Sequence, residues 1–76
     1  MPEHLAIDCT GMKCPRPIIE IAKASRKLTP GSQLKVQADD LAFESDVKAW
    51  AENTNSTILN LTRNGNKVEV LIALHE

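Results

Sequence analysis

Tyrosine is absent from this 76-residue chain, and Phe43 and Trp50 are its whole aromatic content. Binders of single-stranded nucleic acid stack bases on aromatic platforms and carry a basic excess. Here 9 Lys and Arg face 10 Asp and Glu, for a formal charge of −1. No direct nucleic-acid contact is therefore expected. Long hydrophobic runs are missing too, and nothing approaches the roughly 20 apolar residues of a membrane span. The first apolar run is only Leu5-Ala6-Ile7, and the residues before it lack the pattern of a secretory signal. The expected setting is the reducing cytoplasm, with no membrane partner and with both cysteines as thiols.

Metal and disulfide staples are equally scarce. Two cysteines cannot build a disulfide framework, and the two histidines, His4 and His75, lie near opposite ends where terminal fraying is expected. A structural zinc site needs four ligands, and no such set is visible. There is no glycine-rich phosphate loop and no H-E-x-x-H helix. Neither a metal nor a bound organic cofactor is expected. The composition, 42% hydrophobic and 25% charged, suits a single soluble domain over residues 1–76 that folds on packing alone.

The patterning supplies the fold. Leu5 to Ile7 predicts a short first strand, with Leu5 and Ile7 on one face and Asp8 at its end. Ile18, Ile21, Ala22, Ser25 and Leu28 recur at helical spacing, and Lys23, Arg26 and Lys27 crowd the last turns, where cations suit the helix dipole. Pro30-Gly31 stops that helix. Gln33 to Ala38 alternates as a half-buried strand, with Leu34, Val36 and Ala38 inward. Asp40 is the expected N-cap of a second helix that carries Phe43, Val47, Trp50, Ala51 and Thr54 on its apolar stripe. Thr57 to Arg63 and Lys67 to Leu74 read as a hairpin turning through Asn64-Gly65, with Leu59 and Leu61 inward and Ile58, Leu71, Ala73 and Ala6 on the outer face. The order is βαβαββ. One apolar and one mostly polar face per strand place both helices on the same side of the sheet. The expected class is α+β: a two-layer sandwich with a four-stranded mixed sheet, its βαβ crossovers right-handed and joining parallel strands.

Chemistry concentrates in Asp8-Cys9-Thr10-Gly11-Met12-Lys13-Cys14-Pro15-Arg16-Pro17. Both cysteines and two of the four prolines fall inside these ten residues. Gly11 supplies the turn between strand and helix. Cys14 is the expected N-cap and Pro15 the first helical residue, where its missing N–H costs nothing; Pro17 is tolerated at the third position. A thiolate there would gain from the helix dipole, from the free amides of Arg16 and Ile18, and from the positive charge of Lys13 and Arg16, with Asp8 offsetting part of it. The expectation is an accessible, moderately activated thiol at Cys14. A free cysteine is more often a small buried hydrophobe than a nucleophile, and for Cys9, just past the strand, packing into the turn is the expected role. The Cys9-x4-Cys14 spacing is not the C-x-x-C of thioredoxin-like sites, and it leaves open both a disulfide and two free thiols. Asp39, Asp40 and Asp46 form an acidic cluster that capping and a solvated helix face would explain.

Asp8-x-x-Gly11-x-x-Cys14-Pro15-x-Pro17 resembles the signature of the TusA/SirA family of small sulfur-carrier proteins. Pro30-Gly31, Ala38-Asp39-Asp40 and Asp46-Val47 also resemble the family pattern, so the similarity runs through essentially the whole chain. Leu41 departs from it, standing where many members have proline. The resemblance implies the same βαβαββ sandwich and a carrier that holds sulfane sulfur as a covalent persulfide on Cys14. It would act as a relay protein rather than a complete catalyst, with Asp8, Gly11, Lys13, Pro15, Arg16 and Pro17 supporting Cys14. The implied partners are a cysteine desulfurase or rhodanese-type donor and a downstream acceptor protein, in tRNA thiolation, cofactor synthesis or sulfur oxidation. The rival reading is a regulatory or protein-interaction module in which Cys14 is structural or redox-sensing.

Overall fold

The computed structural model describes residues 3–74. Four strands and two helices follow in the order β1 (His4–Cys9), α1 (Arg16–Lys27), β2 (Gln33–Ala38), α2 (Phe43–Asn53), β3 (Thr57–Asn64) and β4 (Lys67–Ala73). The sheet order is β1-β2-β4-β3. β1 runs parallel to β2, while β4 is antiparallel to both of its neighbours, β2 and β3. The expected mixed-sheet α+β sandwich is the observed one. Its two crossovers differ: α1 links adjacent parallel strands, whereas α2 links β2 to a parallel β3 with β4 inserted between them.

The alternation of β2 and β4 builds the floor of the core. Leu34, Val36 and Ala38 stand opposite Ile72, Val70 and Val68, and all six are buried. Ile21 and Ala24 from α1 and Phe43, Val47 and Ala51 from α2 are buried with them, so both helices cover this one face. Ile18 and Leu28 of the apolar stripe expected for α1 pack at its margin, as does Trp50 of α2. The buried positions of α1 are Pro17, Ile21 and Ala24. On the opposite face Lys35 pairs with Glu69 at 3.2 Å across β2 and β4.

Several boundaries differ from the sequence reading. β1 is longer at both ends than Leu5 to Ile7. His4, expected to fray, pairs with Gln33, and Asp8 and Cys9 continue the ladder to Gln37 and Ala38. Parallel hydrogen bonding to β2 overrides the short apolar signal there. His75 lies outside the described residues. The hairpin loop is Gly65-Asn66 rather than Asn64-Gly65, because Asn64 still pairs with Lys67. Of the two loop residues only Gly65 takes a positive φ, 66°, which is the pattern of a II′ rather than an I′ connection.

The largest correction concerns β3. The register shifts between Ile58 and Asn60: Ile58 faces Ile72, Asn60 faces Leu71 and Leu61 faces Val70. Leu59 is thus the extra residue of a β-bulge. Ile58, expected outside, packs against the core together with Leu61, and Leu59, expected inside, is 49% exposed. A one-residue insertion inverts side-chain parity on one side of it, so strict alternation across Ile58 to Leu61 misassigns two positions.

This inversion has a measurable result. Ile58→Ala should destabilise the domain by about 2 kcal/mol, as large-to-small changes at packed aliphatic positions do. Leu59→Ala should stay within about 0.5 kcal/mol, the range of exposed substitutions. Urea midpoints at constant m-value would read both, and the reverse ranking would mean that the bulge is misplaced.

Candidate functional site

Parallel pairing brings the end of β1, Cys9, beside the end of β2, Ala38. The loops that follow the two strands therefore leave the sheet at the same edge and meet. The first is the segment from Thr10 to Pro15, and the second is Asp39 to Ala42. One hydrogen bond ties them directly, as the Gly11 N–H donates to Asp39 Oδ1 at 2.9 Å. Gly11 sits at φ 84°, a left-handed conformation that favours glycine. Met12 N–H donates to Cys9 O at 3.1 Å and closes the first turn.

Cys14 emerges from this loop exposed to solvent, whereas Cys9 is 1% exposed and belongs to the hydrophobic core. Both are free thiols. Burial pushes the Cys9 thiol up, with Glu20 and Asp8 adding to the effect. The packing role expected of Cys9 is thus the observed one.

The start of α1 differs from expectation. The helix begins at Arg16 with Pro15 in the N-cap position, not with Cys14 there, and no side chain caps it. The Cys14–Pro15 peptide is cis. Prolines 15 and 17 carry no N–H, and the amides that remain are already engaged. Arg16 N–H donates to Lys13 O at 2.8 Å, and the N–H groups of Ile18 and Ile19 both donate to Pro15 O at 3.1 Å. No first-turn amide is left over to hold a thiolate.

A carboxylate takes the place that those amides were expected to fill. Cys14 Sγ–H donates to Asp46 Oδ2 at 2.8 Å. Asp46 lies in the first turn of α2, 32 residues away along the chain. The bond exists only while the thiol keeps its proton, so it favours the neutral form. The Cys14 thiol is accordingly raised above the ordinary thiol range, first by this hydrogen bond, then by desolvation and by the negative charges of Asp46 and Asp40. The moderate activation expected from the dipole and from Lys13 and Arg16 is therefore corrected. The site offers an accessible thiol whose deprotonation is opposed, because a carboxylate touches it and the flanking amides are spent.

The other expected site residues divide. Gly11, Lys13, Pro15, Arg16 and Pro17 surround Cys14 in sequence, and among the described residues neither Lys13 nor Arg16 is paired with a carboxylate. Pro17 is buried and anchors the start of α1 in the core. Asp8 turns away to local work: its Oδ1 accepts hydrogen bonds from the amide and the hydroxyl of Thr10. Those bonds hold its carboxyl below the usual range. Asp40 Oδ2 accepts the Ala42 N–H at 3.1 Å, so it caps the turn before α2 rather than the helix itself. The three aspartates first read as a cap-and-surface cluster thus have three separate partners. Asp46 stands outside the expected supporting set, and the one signal that marked it in the sequence is the Asp46-Val47 pair that resembles the family pattern. Its position in the first turn of a helix gave a sufficient local explanation, and only the parallel strand pairing predicts its neighbour.

Beside Cys14, Gly11, Met12, Lys13, Asp39, Asp40 and Leu41 line an open groove of about 320 Å³. Leu41 is 93% exposed on its rim. A larger cavity of about 410 Å³, lined by Ser25, Trp50, Thr54 and Leu74 among others, opens where β4 ends and β2 begins, the opposite end of the sheet from both cysteines. Among the described residues no group of three or more His, Cys, Asp or Glu is arranged to hold a metal ion, and no helix is long and apolar enough to cross a membrane.

A family model described as sulfurtransferase TusA matches residues 5–73. A relative from Aquifex aeolicus is 31% identical over 65 residues, as is YrkF from Bacillus subtilis, and YrkI from the same organism is 32% identical over 65. Each is named a putative sulfur carrier protein. In all three cases the match covers 86% of this chain. It spans only 33% and 35% of the first two relatives, about a third of their length, but 87% of YrkI. Among solved structures, a SirA-like protein from Desulfitobacterium hafniense superposes with a TM-score of 0.82 at 26% identity, covering 95% of this chain and 99% of that one.

The contrast between the two thiols can be checked without any partner. Native protein treated with iodoacetamide should take up one label, Cys9→Ser should still take up one, and Cys14→Ser should take up none until it is unfolded. Mass spectrometry of the intact chains reads all three, and rapid native labelling of Cys14→Ser would show that Cys9 is not sealed in the core.

Proposed function

Because this chain belongs to the TusA/SirA family, we propose that it is a sulfur carrier that accepts sulfane sulfur on Cys14 and relays it as a persulfide to another protein. The observation that carries this reading is the pairing of one exposed cysteine with one buried cysteine at the edge where two loops meet. The presented thiol is reachable by a second protein, and the other is withdrawn. Among the described residues the side chain bonded to the Cys14 thiol is the Asp46 carboxylate, and the groove beside it is open rather than enclosed. A protein that exchanges sulfur with partners needs that accessibility more than it needs a deep pocket.

In loading, the sulfur of Cys14 attacks the terminal sulfur of a donor persulfide. One S–S bond forms on Cys14, the donor's S–S bond breaks, and the electron pair leaves with the donor thiol, which takes up the proton. Unloading repeats the displacement with Cys14 as the leaving group. This is the logic of thiol–disulfide exchange, with no net oxidation or reduction. A cysteine desulfurase or a rhodanese-type protein is the fitting donor, and a thiol of a downstream relay protein the fitting acceptor. Lys13, Arg16 and the exposed Leu41 are placed to meet such partners around the thiol. A reducing compartment suits two free thiols, and the carrier domain accounts for about a third of the length of two relatives.

Incubation with a cysteine desulfurase and free cysteine, followed by intact-mass measurement, tests the reading. The wild type should gain one sulfur atom, Cys9→Ala should gain it equally, and Cys14→Ala should gain none. If neither a desulfurase nor a small-molecule persulfide loads the wild type, the protein is not a sulfur carrier.

A further inference from the structure

We propose that Asp46 is a positioning residue that distinguishes the empty carrier from the loaded one, holding the empty Cys14 thiol by a hydrogen bond and opposing the persulfide that replaces it. This inference deepens the sulfur-carrier reading and rests on it. It starts from the 2.8 Å contact between Cys14 Sγ and Asp46 Oδ2. In the empty carrier the thiol has a proton to donate, and the carboxylate accepts it. Charge-assisted hydrogen bonds of this kind are stronger than neutral ones, and this one fixes the direction in which the sulfur points.

Loading changes the sign of the interaction. Cys14–SH and a donor persulfide, R–S–SH, give Cys14–S–SH and R–SH, so atoms and electrons balance. Cys14 Sγ, now bonded to the new sulfur, no longer carries a proton, and the Sγ–H donation to Asp46 is lost. Persulfides are also more acidic than thiols, so the outer sulfur is an anion under conditions where the empty thiol is neutral. A persulfide anion and the Asp46 carboxylate repel, and although solvent screens charges at this exposed position, the contact distance leaves them little room for intervening water.

The surrounding charges reinforce this asymmetry. From the loop before α2, Asp40 adds negative charge that acts on the same sulfur. Asp39 in that loop is bound to the Gly11 amide and steadies the segment that carries Cys14. On the thiol's own segment Lys13 and Arg16 bring positive charge, yet Cys14 remains raised above its ordinary range. The carboxylates prevail because one of them is in contact. The empty state is stabilised and the loaded state is not, which favours onward transfer of the sulfur. A carrier that bound its cargo most tightly would be a sink.

Two measurements on the full chain test the proposal, one of which involves no sulfur donor. Asp46→Asn removes the charge at nearly constant shape. The pH midpoint of Cys14 thiolate formation, followed by ultraviolet absorbance or by iodoacetamide rate, should fall by about one unit, the scale on which an adjacent like charge shifts a titration. The alkylation rate near neutrality should rise only about threefold, since a less basic thiolate is also a poorer nucleophile. In exchange between glutathione persulfide and glutathione, Asp46→Asn should also hold several-fold more sulfur on Cys14 at equilibrium. Asp46→Ala should act in the same direction on both readouts if the amide perturbs folding. Glu52→Gln, which removes a different exposed carboxylate from α2, should move neither.

An unmoved midpoint in both Asp46 variants, or an unmoved exchange equilibrium, overturns the proposal, as does an equal effect of Glu52→Gln. A midpoint that stays put while the wild type loads normally would sink the role of Asp46 and leave the carrier reading standing. A wild type that takes up no sulfur would sink the carrier reading and the discrimination of cargo with it, whatever the titration showed.

Discussion

Parallel pairing of β1 with β2 is the constraint on which the site depends. Parallel strands finish at the same edge of a sheet, so Cys9 and Ala38 end side by side and their following loops must share space. The Gly11–Asp39 hydrogen bond fastens those loops, and the start of α2 is delivered next to the start of α1. Had β1 been antiparallel to β2, the segment after Cys9 would leave from the far edge and Cys14 could not reach Asp46. The buried face of the same strands packs Cys9, Val36 and Ala38 beneath the two helices. One pairing thus serves both the core and the chemistry.

The electrostatics at Cys14 are the outcome of a competition settled at contact distance. Helix dipole, Lys13 and Arg16 all favour a thiolate in principle. Their influence is indirect, because the two prolines delete amides and the remaining ones bond to Lys13 O and Pro15 O. Asp46 touches the sulfur itself. A contact within hydrogen-bond range outweighs solvated charges that make no bond to the sulfur, which water and salt screen. The first cause of the raised Cys14 thiol is therefore its hydrogen bond to one carboxylate.

The fold was legible in the sequence where side-chain periodicity was uninterrupted. Alternation in Gln33–Ala38 and Lys67–Ala73 and the helical stripe from Phe43 to Thr54 each reported a real face. Legibility failed where long-range pairing overrode local pattern. His4, Asp8 and Cys9 join β1 because β2 offers hydrogen-bond partners, and the Leu59 bulge inverts parity without any local breaker to announce it. The same reason hid half of the site. Cys14 stands out through its neighbours Pro15 and Pro17, while Asp46 looks like an ordinary acidic residue in the first turn of a helix. Its role as hydrogen-bond acceptor comes from a contact spanning 32 residues.

The bulge on β3 has a consequence for assembly. The outer strands of the sheet are β1 and β3, and each leaves one flank of backbone groups unpaired within the described chain. A sheet with two regular edges can add copies on both sides and grow without limit. Here the interruption between Ile58 and Asn60 breaks the regular repeat of one edge, which makes it a poor template for a further strand. Among the described residues the β1 strand carries no such shift. A strand added along the bulged edge would lose register at Leu59, which is how a bulge guards a sheet edge against open-ended growth.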